Sequence, residues 1–301
     1  MTTTAITLLL VSALAHAYWN LRSKQADPSI STFFLAMGTP FMAALLMFAI
    51  APQLFINLPP AAFGWLLLSS IFRALYFSAL AVTYQNDDMT AVYPIVRAVP
   101  ILIVTLVSLL LGRSHAFSVV SLAGMLLVFG GCFLVPLDRR SADPQTYLTR
   151  QNALILLAAI GIAGFMLVDD AALRILRTCE CLHGSNLVIS TVSILLSFSG
   201  AFFWLGLGML LSPKQRTNLR RVTKRQIGSS LLTGLIISVT YLLVLIALAH
   251  VRDVSYATAF RQASIVIGLL LCVVFLKEKP GGYRVAGTLI IFVGLVMVAL
   301  G

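Results

Sequence analysis

Long apolar runs, each about the length of a bilayer-crossing helix and each ended by charges, Pro or Asn, follow one another along the whole chain. They predict ten helices, over 3–21, 29–50, 61–83, 88–111, 117–136, 152–176, 184–211, 227–250, 254–276 and 281–301. A hydrocarbon core about 30 Å thick needs about 20 apolar residues per helical crossing. What remains between the runs is too short for a soluble domain. The expected fold class is an all-α polytopic membrane protein with short loops, tightest at Asn86-Asp87-Asp88 and Val251-Arg252-Asp253.

Composition agrees: 59% of the 301 residues are apolar and 10% charged, against roughly 25% charged in an ordinary soluble domain. The net charge of +11 would suggest nucleic acid in a soluble protein. Here its placement gives a better account, because cytoplasmic loops collect Lys and Arg. Odd-numbered connections carry 14: Arg22, Lys24, Arg139, Arg140, Arg150, Lys214, Arg216, Arg220, Arg221, Lys224, Arg225, Lys277, Lys279 and Arg284. Even-numbered connections carry only Arg113, Arg174, Arg177 and Arg252, and the tails carry none. This split supports ten spans in the inner cell membrane with both termini outside the cytoplasm. Residues 15–17 mimic a cleavage site, yet no basic segment precedes them, so the first run is expected to stay as a helix. The four Cys make no disulfide framework: two lie in spans, and Cys179-x-Cys181 is too close for an ordinary bridge.

The chain also repeats itself. A shift of 164 lays Arg97 on Arg261 and Arg113 on Lys277, and a shift of 163 lays Gly124 and Gly131 on Gly287 and Gly294. Five helices per copy is an odd number, so the second copy enters the membrane inverted. The expected organisation is a first five-helix repeat over 1–136, a linking loop over 137–151 and an inverted repeat over 152–301, an architecture used by secondary transporters.

Together with the five-plus-five pattern, His16-Ala17-x-Trp19-Asn20 at the end of the first helix and Phe275-Leu276-Lys277-Glu278 before a Gly-rich last helix resemble the drug/metabolite transporter superfamily, specifically the EamA-type transporters. The resemblance implies an α-helical secondary carrier of small metabolites, with proton or exchange coupling. Two departures stand out. Leu111-Gly112-Arg113 replaces the family's usual Leu-Gly-Glu, leaving Glu278 as the acidic residue of that motif. The family also usually keeps both termini in the cytoplasm, against the charge count.

Three arginines lie inside predicted spans. Arg73, Arg97 and Arg261 are 12, nine and seven residues in, roughly 18, 14 and 11 Å deep at about 1.5 Å per residue. Each costs about 2.5–3.5 kcal/mol on insertion scales. Each either pairs with a buried carboxylate or carbonyl as helix glue, or serves a bound anion. Against them stand two mid-span acids, Asp169 and Asp170, so the surplus of positive charge points to an anionic ligand on Arg97 and Arg261, with Arg73 a further candidate. Tyr93 is one turn before Arg97, Tyr256 lies shortly before Arg261, and Gln262 follows it. Both tyrosines suit either a pocket wall or an interfacial belt. His16, Trp19 and Asn20 share one stripe of the first helix.

Asp169, Asp170 and His16 are the proton-coupling candidates. Asp169 is equally readable as the counter-ion of an arginine, and Asp170 as the i, i+4 partner of Arg174.

Cys179-x-Cys181-x-His183 has no partner cluster and no metal is expected; Glu278 reads as a helix-end charge, and the basic run from Lys214 to Arg225 as a segment against anionic headgroups. No P-loop, Rossmann, H-E-x-x-H or G-x-S-x-G motif occurs, which excludes ATP-driven transport within this chain; no cofactor is expected. The leading reading is a secondary transporter, not an enzyme, moving a small anionic or zwitterionic metabolite by alternating access, as a monomer or homodimer in the lipid bilayer. The alternatives are a flippase for an anionic lipid-linked intermediate and a membrane-embedded transferase holding a metal on Asp169-Asp170.

Overall fold

Helices start where a short polar side chain caps the first free backbone N–H groups. Ser29 accepts from the Thr32 amide, Ser185 from Val188, and Asp253 from Ser255, while Ser118 and Ser121 form a reciprocal capping box. Gly112, at φ +77°, supplies the left-handed residue that ends one helix and lets the chain turn into the next.

The computed structural model describes residues 1–25, 29–86, 89–139, 150–179, 182, 185–275 and 280–301, apart from the side chains at 20–25, 84–86, 89–95, 138–139, 150–152, 214, 272 and 275. The described residues contain no strand. The helices are α1 (Thr3–Gln25), α2 (Ile30–Ile50), α3 (Gln53–Ile56), α4 (Pro60–Asn86), α5 (Met89–Leu110), α6 (Val119–Leu134), α7 (Arg150–Thr178), α8 (Asn186–Leu210), α9 (Pro213–Ala247), α10 (Val254–Phe260), α11 (Ala263–Phe275) and α12 (Gly282–Leu300).

Eight described segments are long and apolar enough to cross a membrane, which makes the chain a multi-pass membrane protein; Thr3–Trp19 and Val96–Leu110 are shorter apolar helices. Three features differ from the pattern-based expectation. The eighth predicted helix begins at Pro213, so the basic run is helical and joins its span through a break at Gln226 (φ −139°). The ninth is two helices, α10 and α11, parted at Arg261-Gln262. The single-turn α3 has too few residues to show a period.

α4 packs along α7 and α8, α9 along α1 and α2, and α2 against α8. α5 lies against α6, α7 and α10, α11 against α1 and α12, and α6 against α12. Both chain ends meet at one face: the Met1 amino group donates to Ala299 O (3.1 Å), Thr2 to His250 O (3.1 Å) and Arg252 to Gly301 O (2.8 Å).

The seven-residue glycine spacings of α6 and α12 make close helix contacts within the chain. A Cβ on Gly124 would meet Gly294 O at 2.7 Å and one on Gly294 would meet Gly124 O at 2.7 Å; Gly131 and Gly287 meet likewise at 2.7 and 2.8 Å. α6 and α12 therefore run antiparallel in backbone contact. Cys179 is disulfide-bonded, which corrects the expectation of no bridge; Cys181 and His183 lie outside the described residues. A bridge forms where tertiary packing brings two Cβ atoms to about 3.8 Å, which spacing along the chain does not decide.

Gly131→Leu forces α6 and α12 apart and lowers stability by about 1–3 kcal/mol or more, the range for overpacking. Gly130→Ala, whose added Cβ meets nothing within 4 Å, is neutral or stabilising by up to about 1 kcal/mol. Thermal unfolding of the two variants in detergent checks the contrast.

Candidate functional site

At the break between α10 and α11 the helix tightens: Arg261 N donates to Ala257 O and Gln262 N to Ala259 O, both 3.0 Å. The Arg261 carbonyl accepts from Arg97 Nη2 (2.5 Å) and Ser264 Oγ (3.1 Å). In an apolar interior a carbonyl released from the helix ladder needs such a partner. Arg97 Nε donates to Gln262 Oε1 (2.8 Å), and Gln262 Nε2 donates back to Arg97 O (3.0 Å) and to Thr258 O (3.2 Å). α5 and the α10–α11 break are thus cross-braced by the two residues that the 164-residue shift pointed to and their neighbour.

Around this brace lies a cavity of about 290 Å³, counted to its open mouth, lined by His16, Tyr76, Arg97, Ile162, Thr258, Arg261 and Gln262. Its enclosed part has room for on the order of one water. Arg97 is buried and Arg261 partly buried, so two arginines line one small space. His16 Nδ1 accepts from Trp19 Nε1 at 3.0 Å, with both residues buried. A neutral imidazole that accepts at Nδ1 carries its proton on Nε2.

Beside the cavity is a second buried cluster. Arg73 Nη2 donates to Asp169 Oδ2 at 2.5 Å, with side chains 2% and 1% exposed. The Arg73 guanidinium lies over three rings, Phe165 (4.7 Å), Phe198 (4.4 Å) and Tyr241 (4.2 Å). Tyr241 Oη donates to Asp169 Oδ2 (2.6 Å), and its ring lies 5.6 Å from the Arg261 guanidinium. Asp169 Oδ1 and Arg73 Nε have no hydrogen-bond partner among the described residues. Asp170 accepts from Arg113 Nη1 and Arg174 Nε, both 2.8 Å.

A model of the EamA-like transporter family matches residues 149–300, just over half of the 301-residue chain. The chain belongs to the EamA-like transporter family. Members are generally transporters rather than enzymes. A crystal structure matches all of this EamA chain and 99% of its own at a TM-score of 0.65 and 14% identity, which supports a shared fold. No curated relative matches it.

In this EamA protein the sequence candidates fall into groups. Arg97, Arg261, Gln262 and His16 share the cavity. Trp19 stands behind His16. Arg73 is paired with Asp169, and Asp170 with Arg174 and Arg113. Tyr256 is fully buried away from the cavity lining, its hydroxyl 2.9 Å from both Ala116 O and Ser121 Oγ. The side chains of Asn20 and Tyr93, together with Lys277 and Glu278, lie outside the described residues.

Sequence reading missed Tyr76, Ile162 and Thr258 on the wall, the three-ring box around Arg73, and Asp253. Only Asp253 carried a local signal, an Asp placed just before an apolar run. The ring box is built from α7, α8 and α9, and no periodicity along one helix reveals it.

Arg73→Met leaves Asp169 buried without its cation and lowers stability by about 3–5 kcal/mol, the usual range for breaking a buried pair. Arg73→Met combined with Asp169→Leu recovers most of that loss. Thermal melts of parent, both single variants and the double variant measure it.

Proposed function

We propose that the chain is a secondary transporter that moves a small anionic or zwitterionic metabolite by alternating access between two inverted five-helix halves. The observation that carries this reading is the pair of guanidinium groups, Arg97 and Arg261, on one cavity deep in an apolar bundle. An anion placed between two guanidinium groups accepts charge-assisted hydrogen bonds from both.

Support for inverted halves comes from contacts. Exchanging α1 with α7, α2 with α8, α4 with α9, α5 with α10–α11, and α6 with α12 carries the main helix pairings onto one another. The close approaches obey the same 164-residue shift: Gly234 sits on Ala36, and Gly200 on Ser70, with an added Cβ 2.5 Å from Ser70 Cβ. The reading has ten spans with both ends at one face, and the Lys/Arg bias supports those ends lying outside the cytoplasm of an inner membrane.

Coupling to a proton falls to Asp169, Asp170 or His16. Asp169 offers Oδ1 as the protonation atom, whereas His16 must first give up its bond from Trp19. Arg97 and Arg261 would hold the anionic group, Tyr76 and Thr258 would shape the space around it, and Gln262 would hold Arg97 in place.

Inorganic phosphate is expected to raise the melting temperature of the purified protein. Arg97→Gln and Arg261→Gln each weaken that response about tenfold, the effect of about 1.4 kcal/mol. Stabilisation by tetraphenylphosphonium and not by phosphate overturns the reading. In intact cells a C-terminal tag is expected to react with a membrane-impermeant reagent; protection until lysis reverses the orientation.

A further inference from the structure

Three of the helices that wall the cavity also meet at a second point nearer the face holding both chain ends. α5 contributes Arg97 to the cavity and, just past its end, Arg113 to that point; α7 contributes Ile162 and then Asp170; α10 begins at Asp253 and ends beside Arg261. Ile162 to Asp170 and Asp253 to Arg261 are each eight residues, about 12 Å at 1.5 Å per residue. The second point therefore lies over the same cavity, roughly 12 Å toward the chain ends.

The residues there form one closed network. Arg113 Nη1 bridges Asp170 Oδ2 (2.8 Å) and Asp253 Oδ2 (3.4 Å). Asp253, 0% exposed, accepts through Oδ1 from Ser108 Oγ (2.8 Å), Ser255 N (2.9 Å) and Ser255 Oγ (2.5 Å). Arg174 completes it on Asp170 at 2.8 Å. Two carboxylates and two guanidinium groups balance in charge, and Arg113 and Ser108 belong to the N-terminal half while the other members belong to the C-terminal half. Such a network is stable only when all its members are in place. It joins parts that must separate if the cavity is to open on this side.

We infer that the Arg113–Asp170–Asp253 network is the gate that closes the cavity toward the face bearing the chain ends, and that α10 is the lever linking the gate to the site. α10 has seven residues, with the network at its N-cap and the Arg261-Gln262 break at its other end. Parting Asp253 from Arg113 and Ser108 lets α10 swing about that break. The swing moves the Arg261 carbonyl against Arg97, so the state of the gate is felt at the cavity. Conversely, a ligand that draws Arg261 toward Arg97 pulls on the N-cap. This inference rests on the transport reading above, and its test needs no substrate.

The test uses Ile162→Cys as a reporter in the full chain in sealed vesicles, with a membrane-impermeant maleimide added on the side of the chain ends and the chain without the reporter correcting for native cysteines. Arg113→Ala is expected to raise the labelling rate about tenfold or more, the size expected for losing a charge-assisted hydrogen bond from the closed state. Because that variant leaves two buried carboxylates and can fail to fold, a second arm replaces Ser108 and Ser255, whose hydroxyls are 3.5 Å apart, by Cys. Oxidation of that pair is expected to abolish labelling, and prior reduction to restore it. Unchanged labelling in the cross-linked protein, or in a folded Arg113→Ala protein, overturns the gate. If labelling follows the gate while phosphate stabilises nothing, the gate stands and the anion reading falls.

Discussion

The presence of guanidinium groups in the thickness of an apolar bundle is the constraint to which the rest of the structure responds. None can be left bare, because an unsatisfied buried charge is far more costly than the contacts any single helix makes. The structure answers in two ways. Arg73 receives a carboxylate and three aromatic faces from helices α7, α8 and α9, an arrangement that ties those helices together. Arg97 receives an amide and a carbonyl from the α10–α11 break, which gives that break a partner and leaves both Arg97 and Arg261 on a cavity.

Those two answers sit side by side. Tyr241 touches both: its hydroxyl holds Asp169, and its ring lies 4.2 Å from the Arg73 guanidinium and 5.6 Å from that of Arg261. The Arg73–Asp169 pair is therefore one side chain away from the cavity. Helix backbones contribute the other essential property, which is close contact. Glycines at the α6–α12, α2–α9 and α4–α7 crossings bring backbone against backbone where larger residues would hold the helices apart.

Much of this was legible in the chain. Apolar runs located the helices because a span must satisfy its own backbone and face lipid, and the ends of α2 and α12 fall within about a residue of the pattern. The shift that paired Arg97 with Arg261 picked out two residues that share one cavity. The break at Arg261-Gln262 was hidden because residues 254–276 read as one span that is uncharged apart from Arg261, and hydropathy does not register a freed carbonyl. Tyr256 looked like a pocket residue by its distance from Arg261 in sequence, yet five residues is more than one turn and turns the ring toward α6. The partners of Arg73 and Arg113 lie on other helices, so only tertiary packing reveals them.

The central claim is that one small anion is held between Arg97 and Arg261. A crystal of the protein grown with selenate, examined by anomalous diffraction at the selenium edge, tests it most directly. The account predicts a selenium peak in the cavity, with its oxygens within hydrogen-bond distance of both guanidinium groups. Selenate bound elsewhere, with that space empty in a well-ordered crystal, would contradict it.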